Sequence, residues 1–137
     1  RGEEGQRFPW GDNWVEDQFA NFCDKNCQIN SRDATIDDGY PTLAPVGSFP
    51  NGASSYGVLD MAGNVLEWVF DFYGESYYSS SIEWINPSGP ESGQFRGIRG
   101  GAWAMEAKYM RSSFRGAVLP QLSNNRRGFR CVMDSNS

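Results

Sequence analysis

The sequence contains no histidine, and this absence excludes three classes of chemistry. Histidine general bases, Ser-His-Asp triads and imidazole metal sites all require that side chain. The sequence also lacks any apolar run that approaches ~18 residues, the length needed for a membrane-spanning helix. Basic residues are in the minority, with 12 Lys and Arg against 17 Asp and Glu and a net charge of -5. The charge therefore argues against a nucleic-acid or anionic-membrane surface, and we expect neither partner.

The length and composition indicate one loop-rich unit. A chain of 137 residues suffices for one domain or part of one. Aromatic residues make up 15% of it, with 16 Gly and 7 Pro, a mixture typical of short strands and structured loops. The pattern predicts strands within 44–59, 66–73 and 128–133, and irregular segments at 23–45 and 74–95. We expect an α+β or mostly β class, and the lack of an initial Met indicates a processed or partial chain.

The chain has only three cysteines, at positions 23, 27 and 131. Cys23 and Cys27 enclose Asp-Lys-Asn, and a disulfide can close this small ring if both side chains point inward. Two thiols without further Cys or His do not complete a zinc site. We therefore predict a Cys23–Cys27 disulfide. Cys131 is expected to be either buried and inert or paired with a group outside these residues.

The stretch DMAGNVLEW (60–68) places a carboxylate at each end of a turn made of small residues. Calcium prefers six to eight oxygen ligands, with carboxylates and backbone carbonyls mixed. Asp60 and Glu67 can supply the carboxylates, while Gly63 and Val65 can turn carbonyls inward. A catalytic carboxylate pair is disfavoured because nothing in a tight turn suggests a cleft. A metal site and a turn capped by its own side chains both remain open.

Nine motifs lie in order along nearly the whole chain. They are RFPWGD (7–12), FANF (19–22), IDDGY (36–40), APVGSFPNG (44–52), YGVLDMAGNVLEWVFDFY (56–73), NPSGPESG (86–93), RGIRGGAW (96–103), RSSFR (111–115) and GFRCV (128–132). In order and spacing they resemble the formylglycine-generating enzyme family, that is, the sulfatase-modifying-factor domain. The resemblance implies a loop-rich α+β fold of the C-type-lectin-like kind, with short antiparallel strands and little helix. Domains of that family are about twice this length, so the resemblance places residues 1–137 as the C-terminal half of one domain.

The resemblance implies calcium as the cofactor, bound at two sites. Similar enzymes bind calcium at positions matching Asp60, Gly63, Val65 and Glu67. Their second site falls on Asn21, the carbonyl of Phe22, Asp38 and the carbonyl of Tyr40. An ion there would stabilise the irregular 23–45 segment.

The family's aerobic enzymes oxidise a substrate cysteine with two active-site cysteines that hold copper(I), a soft ion that selects thiolates. The matching interval, 102–116, contains no cysteine and instead holds Met105 and Met110, which we interpret as packing residues. Copper is therefore not expected, and the iron chemistry of a related three-histidine branch has no ligands here unless the other half supplies them. We expect a non-catalytic member that serves as a binding or structural subunit. The alternative is a part of a copper-dependent formylglycine-generating oxidase that acts on a sulfatase cysteine.

A protein partner is expected, including the missing N-terminal half of the domain, in an extracytoplasmic (periplasmic, cell-surface or secreted) assembly. Tyr77, Tyr78 and Trp84 are candidates for its contact surface. The resemblance matches Cys131 to a cysteine that, in the animal enzymes, forms a structural disulfide with a residue upstream of the segment matched here; the partner of Cys131 itself is left open. Two further sets are predicted to be structural. Trp10, Trp68 and Trp103 should anchor the core or turns, and Arg99, Arg111, Arg115 and Arg130 should fix loops through carboxylates and carbonyls.

Overall fold

The computed structural model describes residues 5–14, 18–80, 85 and 87–133. Its centre is a sheet of four short strands in the order β3-β2-β1-β4. The strands are β1 (Leu66–Phe72), β2 (Arg96–Arg99), β3 (Gly116–Val118) and β4 (Arg127–Gly128). Within this part of the chain no helix is long and apolar enough to cross a membrane. The loop-rich α+β class is confirmed.

Strand β1 is the longest and lies between β2 and β4. It pairs antiparallel with β2, where Trp68 faces Ile98, and β2 pairs antiparallel with β3. The predicted antiparallel arrangement needs one correction, because β1 and β4 run parallel and pair Leu66 with Arg127. The apolar stretch at 66–73 does form a strand, but its burial varies along its length, from 7% exposure at Leu66 to 89% at Phe70.

In the part of the chain that the structure describes, regular helix is confined to single turns. The α-helix α1 spans Tyr77–Ser80 and 3-10 helices span Pro50–Gly52 and Ala107–Met110. The strand predicted within 44–59 is wrong. Proline starts a helical turn there and cannot donate to a sheet ladder, so the Pro-Asn-Gly sequence forms a 3-10 turn. The strand predicted at 128–133 shrinks to β4, and residues 129–133 lie in loops.

Two clusters of buried side chains form the core. The first joins Phe8, Phe22, Ile36, Ala62 and Met110, and the second joins Leu66, Ile98 and Ala102. Aromatic rings extend the first cluster, with the Phe8 and Trp10 rings stacked 5.3 Å apart. The predicted anchoring roles of Trp10 and Trp68 are confirmed, because each packs against one of the clusters. The indole of Trp103 donates to the carbonyl of Asn125 at 3.3 Å and so fixes a loop.

Candidate functional site

A pocket beneath the 23–45 loop brings together the four residues predicted for the second calcium site. Asp38 is 7% exposed. One of its carboxylate oxygens accepts the backbone N–H of Phe22 at 2.9 Å, and the other accepts that of Tyr40 at 2.8 Å. Asn21 precedes Phe22 and is 1% exposed. The loop thus folds back onto residues 21–22 through one buried carboxylate.

The side-chain oxygen of Asn21 is buried and has no hydrogen-bond partner among the described residues. The side-chain nitrogen, by contrast, donates to the carbonyl of Thr42 at 2.7 Å and lies 3.4 Å from Oδ1 of Asn64. A buried oxygen left unpaired costs roughly 1–3 kcal/mol, and a hard cation is a natural partner for an amide oxygen beside a carboxylate. The residues of this pocket therefore fit calcium, which would be held by Asn21, Asp38 and the carbonyls of Phe22 and Tyr40.

The charge environment of Asp38 is consistent with a cation partner. Burial raises the pKa of Asp38 to about 6, and the N–H groups of Phe22 and Tyr40 act in the opposite direction. The neighbouring carboxylates of Asp24 and Asp37 raise that pKa further. A bound cation would favour the ionised carboxylate of Asp38. The same cation would give the unpaired side-chain oxygen of Asn21 a partner.

Asp24, which the sequence reasoning did not single out, organises this loop from inside. It is 0% exposed. Its carboxylate accepts the backbone N–H groups of Asn26 at 2.8 Å and of Asp38 at 2.6 Å. The predicted disulfide between Cys23 and Cys27 is confirmed and encloses it, with the two Cα atoms 5.1 Å apart. The Asp-Lys-Asn sequence is typical of an Asx turn. This pattern could have identified Asp24 as a residue that organises the loop.

In the other predicted calcium site, which includes Asp60 and Glu67, the carboxylate of Glu67 is already bound by Arg130. Nε and Nη2 of Arg130 donate to the two carboxylate oxygens of Glu67 at 2.7 Å and 2.5 Å. The same guanidinium donates to the carbonyls of Leu59 at 3.1 Å and Asp60 at 2.8 Å. The Asp60 carboxylate accepts the N–H of Gly47 at 2.7 Å. These residues do not fit a divalent cation unless Arg130 is displaced, and calcium at this turn remains an untested prediction.

The turn between those two acids connects the two predicted sites. Gly63 has φ +82°, and a Cβ there would lie 2.5 Å from the backbone oxygen of Asn21. The N–H of Asn64 donates to that oxygen at 2.9 Å. Val65, half-buried, packs close to Gly128 of β4. In the described ranges no group of three or more Cys, Asp or Glu side chains is placed to hold a metal, so a cation must draw on amide and backbone oxygens.

The interval that matches the family's active-site cysteines is packed into the core. Met110 is 1% exposed and contacts Gly101 so closely that a Cβ there would lie 2.6 Å from its sulfur. Met105 packs against both core clusters. The packing interpretation of the two methionines is confirmed. Cys131 is exposed and forms no disulfide within the described residues.

A groove that the sequence analysis missed lies on the face next to β2. Its volume is about 680 Å³. Its lining includes exposed apolar surface, with Tyr56 at 72% and Val58 and Met61 each at 40% exposure. The lining also includes serine side chains and three arginines, Arg99, Arg111 and Arg115. Apolar walls with a few convergent polar groups are typical of binding sites.

The predicted contact residues border this groove only in part. Tyr78 lines it and holds the guanidinium of Arg115 4.6 Å from its ring centre. The hydroxyl of Tyr77 accepts the N–H of Gly89 at 3.1 Å, which gives this ring a local structural role. Trp84 lies outside the described residues. A contact surface on these tyrosines remains a prediction.

Comparison with known proteins points to one family. The model of the sulfatase-modifying factor enzyme 1-like domain matches residues 1–135. Among curated proteins, the serine/threonine-protein kinase Pkn1 of Chlamydia trachomatis serovar L2 is 37% identical over 134 residues, which cover 97% of this chain and 19% of the kinase. The formylglycine-generating enzyme of Streptomyces coelicolor is 32% identical over 148 residues, which cover 98% of this chain and 42% of that enzyme.

The solved structure of PvdO from Pseudomonas aeruginosa is similar in fold. It superimposes with a TM-score of 0.67 at 29% identity, covering 91% of this chain and 42% of that one. The chain thus spans less than half the length of these relatives.

Proposed function

Because the chain belongs to the family of sulfatase-modifying factor enzyme 1-like domains, we propose that it is a non-catalytic member, stabilised by calcium, that acts as a binding or structural subunit. Three features support the proposal: the arrangement of the cysteine and methionine side chains, the pocket around Asn21 and the open groove. The thiol arrangement carries it, since the family's oxidation of cysteine depends on an accessible thiolate pair.

The three cysteines cannot form such a pair in this fold. Cys23 and Cys27 are joined to each other and buried, and Cys131 is solitary. The positions that match the family's pair hold Met105 and Met110, and a thioether cannot become the thiolate that the oxidation uses. The chain also contains no histidine, so it has no imidazole base or ligand.

The calcium part of the proposal rests on the pocket around Asn21 and Asp38. The chain's own contribution is to hold one amide oxygen and one carboxylate in a buried loop and to keep water out through the packing of Phe22. Calcium, when bound, would supply the positive charge that this loop lacks. The result is an ordered 23–45 segment, which has little regular structure to order it otherwise.

The binding part rests on the size of the family's domain. The relatives are more than twice as long as this chain, so we propose that it works together with the remaining half of such a domain. The disulfide is typical of an oxidising compartment and supports an extracytoplasmic location.

Incubating the protein with copper(I), oxygen and a sulfatase-type peptide that contains one cysteine tests the catalytic question. Mass spectrometry of the peptide should show no formylglycine, while the Streptomyces coelicolor enzyme, treated in parallel, serves as the positive control. Turnover by this chain would establish the copper-dependent oxidase instead.

Thermal unfolding in EGTA and in calcium tests the cofactor. Calcium at 100 times its dissociation constant should stabilise the protein by about 2.7 kcal/mol. The increment should vanish in Asn21→Ala and Asp38→Asn but persist in Asn51→Ala, a change at an exposed asparagine. If calcium adds nothing to the parent protein, the cofactor proposal is wrong, whatever the variants do.

A further inference from the structure

Three arginines in or beside the groove have no carboxylate partner among the described residues. Arg99 donates to the carbonyls of Ser112 and Phe114, at 3.4 Å and 3.2 Å. Arg115 donates to the carbonyl of Gly74 at 2.8 Å. The guanidinium of Arg111 makes no hydrogen bond in this part of the structure, and its Nε is buried. The prediction that these arginines fix loops through carbonyls is thus confirmed for Arg99 and Arg115, and none of the three arginines forms an ion pair within the described residues.

The distribution of charge along the chain makes this concentration unusual. Residues 96–130 hold seven Arg and one Lys against a single acid, Glu106. That acid pairs with Lys108 at 3.0 Å. The remaining 16 of the chain's 17 acids lie elsewhere in the sequence. The segment 96–130 is therefore basic within an acidic chain, and one of its arginines, Arg130, is paired with an acid from outside the segment, Glu67.

Buried polar atoms beside the groove also lack partners. Nε of Arg111 and Oγ of the adjacent Ser112 are both buried without a hydrogen-bond acceptor or donor in the described residues. Each such atom costs about 1–3 kcal/mol. Natural structures seldom leave two together, so an absent partner group is the physical explanation that the site itself suggests.

The apolar part of the lining defines what kind of partner can fill the groove. Tyr56, Val58 and Met61 expose apolar surface there, which a fully solvated anion would not cover. A segment with an apolar face and carboxylates on its flank satisfies the apolar and the cationic parts of the lining at once.

We propose that the groove binds an acidic amphipathic polypeptide segment contributed by the remaining half of the family's domain, whose carboxylates pair with Arg99, Arg111 and Arg115. The inference rests on the proposed function in one respect, namely that another half of the domain acts with this chain. The segment's apolar side covers Tyr56 and Met61. Its carboxylates pair with guanidinium groups that form no ion pair within the described residues.

The test uses two matched probes. An amphipathic helix-forming peptide of about 18 residues carries leucines on one face and glutamates on its flanks, and its counterpart has glutamine at every glutamate. Titration by calorimetry should show the glutamate peptide binding about tenfold or more tightly, a difference of about 1.4 kcal/mol. Arg111→Gln and Arg115→Gln should abolish that preference, while Arg32→Gln, at an exposed arginine of the 23–45 loop, should preserve it.

Side-chain ¹⁵N spectra of the unaltered protein keep the proposal testable if a variant fails to fold. The Nε–H signal of Arg111 should move when the glutamate peptide is added. Equal binding of both peptides would overturn the proposal. A shift caused by phenyl phosphate but not by the peptide would establish a small-oxyanion site instead, and a shift with protein concentration alone would establish a second copy as the occupant. Calcium added to the same sample tests the site at Asn21. Failure of the calcium proposal and failure of the groove proposal are therefore observed separately.

Discussion

Replacing Arg130 by Met tests whether a guanidinium closes the turn between Leu59 and Glu67. The side chain makes two bonds to the Glu67 carboxylate and one each to the carbonyls of Leu59 and Asp60. Each bond to a neutral carbonyl contributes about 1 kcal/mol, and a partly exposed ion pair contributes about 1 kcal/mol. The variant should therefore lose about 3 kcal/mol of unfolding free energy, or roughly 10 °C in Tm for a chain of this size.

Urea unfolding followed by tryptophan fluorescence, in EGTA, measures this loss. Combining Arg130→Met with Glu67→Gln should give a coupling energy of about 1 kcal/mol, which isolates the ion pair from the carbonyl contacts. Arg32→Met is the matched control and should change stability by less than about 0.5 kcal/mol. A loss that small for Arg130→Met would refute the reasoning, as would calcium binding at this turn that is equally tight with and without the arginine.

The remaining predictions concern the loops around the pocket. Gly63→Ala should cost at least about 3 kcal/mol in urea unfolding, because φ is positive and the new Cβ would lie 2.5 Å from backbone. Gly39→Ala, with positive φ but open space around the Cβ, should cost only about 1 kcal/mol; equal losses would show that the close approach is unimportant. Replacing Cys23 and Cys27 by Ser should lower stability by about 2 kcal/mol, the value expected for so small a ring, and no change in Tm would count against a stabilising disulfide. Asp38, whose pKa is raised to about 6, binds its proton more tightly in the folded state, so its contribution in EGTA is present at low pH and is lost as pH rises through about 6. Asp38→Asn should remove that part of the pH dependence, and an unchanged pH profile would contradict it.

The sequence predicted the elements that depend on local patterns. The run at 66–73 gave a strand because its apolar and aromatic residues suit one, and the spacing of Cys23 and Cys27 suited a small ring. The Pro-Asn-Gly sequence at 50–52 indicated a turn, and a 3-10 turn forms there because proline is suited to starting one. The short strand expected before this turn does not form. Local signals identify the type of an element well when only one type fits them.

Local sequence patterns did not predict the contacts between segments that are distant in the chain. The parallel pairing of β1 with β4 and the fork of Arg130 onto Glu67 join residues more than sixty positions apart, and no local pattern encodes them. The excess of arginine over acid at 96–130 was visible in the sequence, and we interpreted those arginines as loop-fixing residues. Arg130 does pair with Glu67, whereas Arg99, Arg111 and Arg115 form no ion pair among the described residues, a difference that the sequence alone does not reveal.

The central position of β1 also determines when the fold can close during synthesis. Both of its neighbours, β2 and β4, come later in the chain, so a nascent polypeptide presents this strand with two open edges. Such edges template aggregation until they are paired. The edge of β1 that pairs with β4 therefore stays open until residues 127–128 have been synthesised and have left the ribosome.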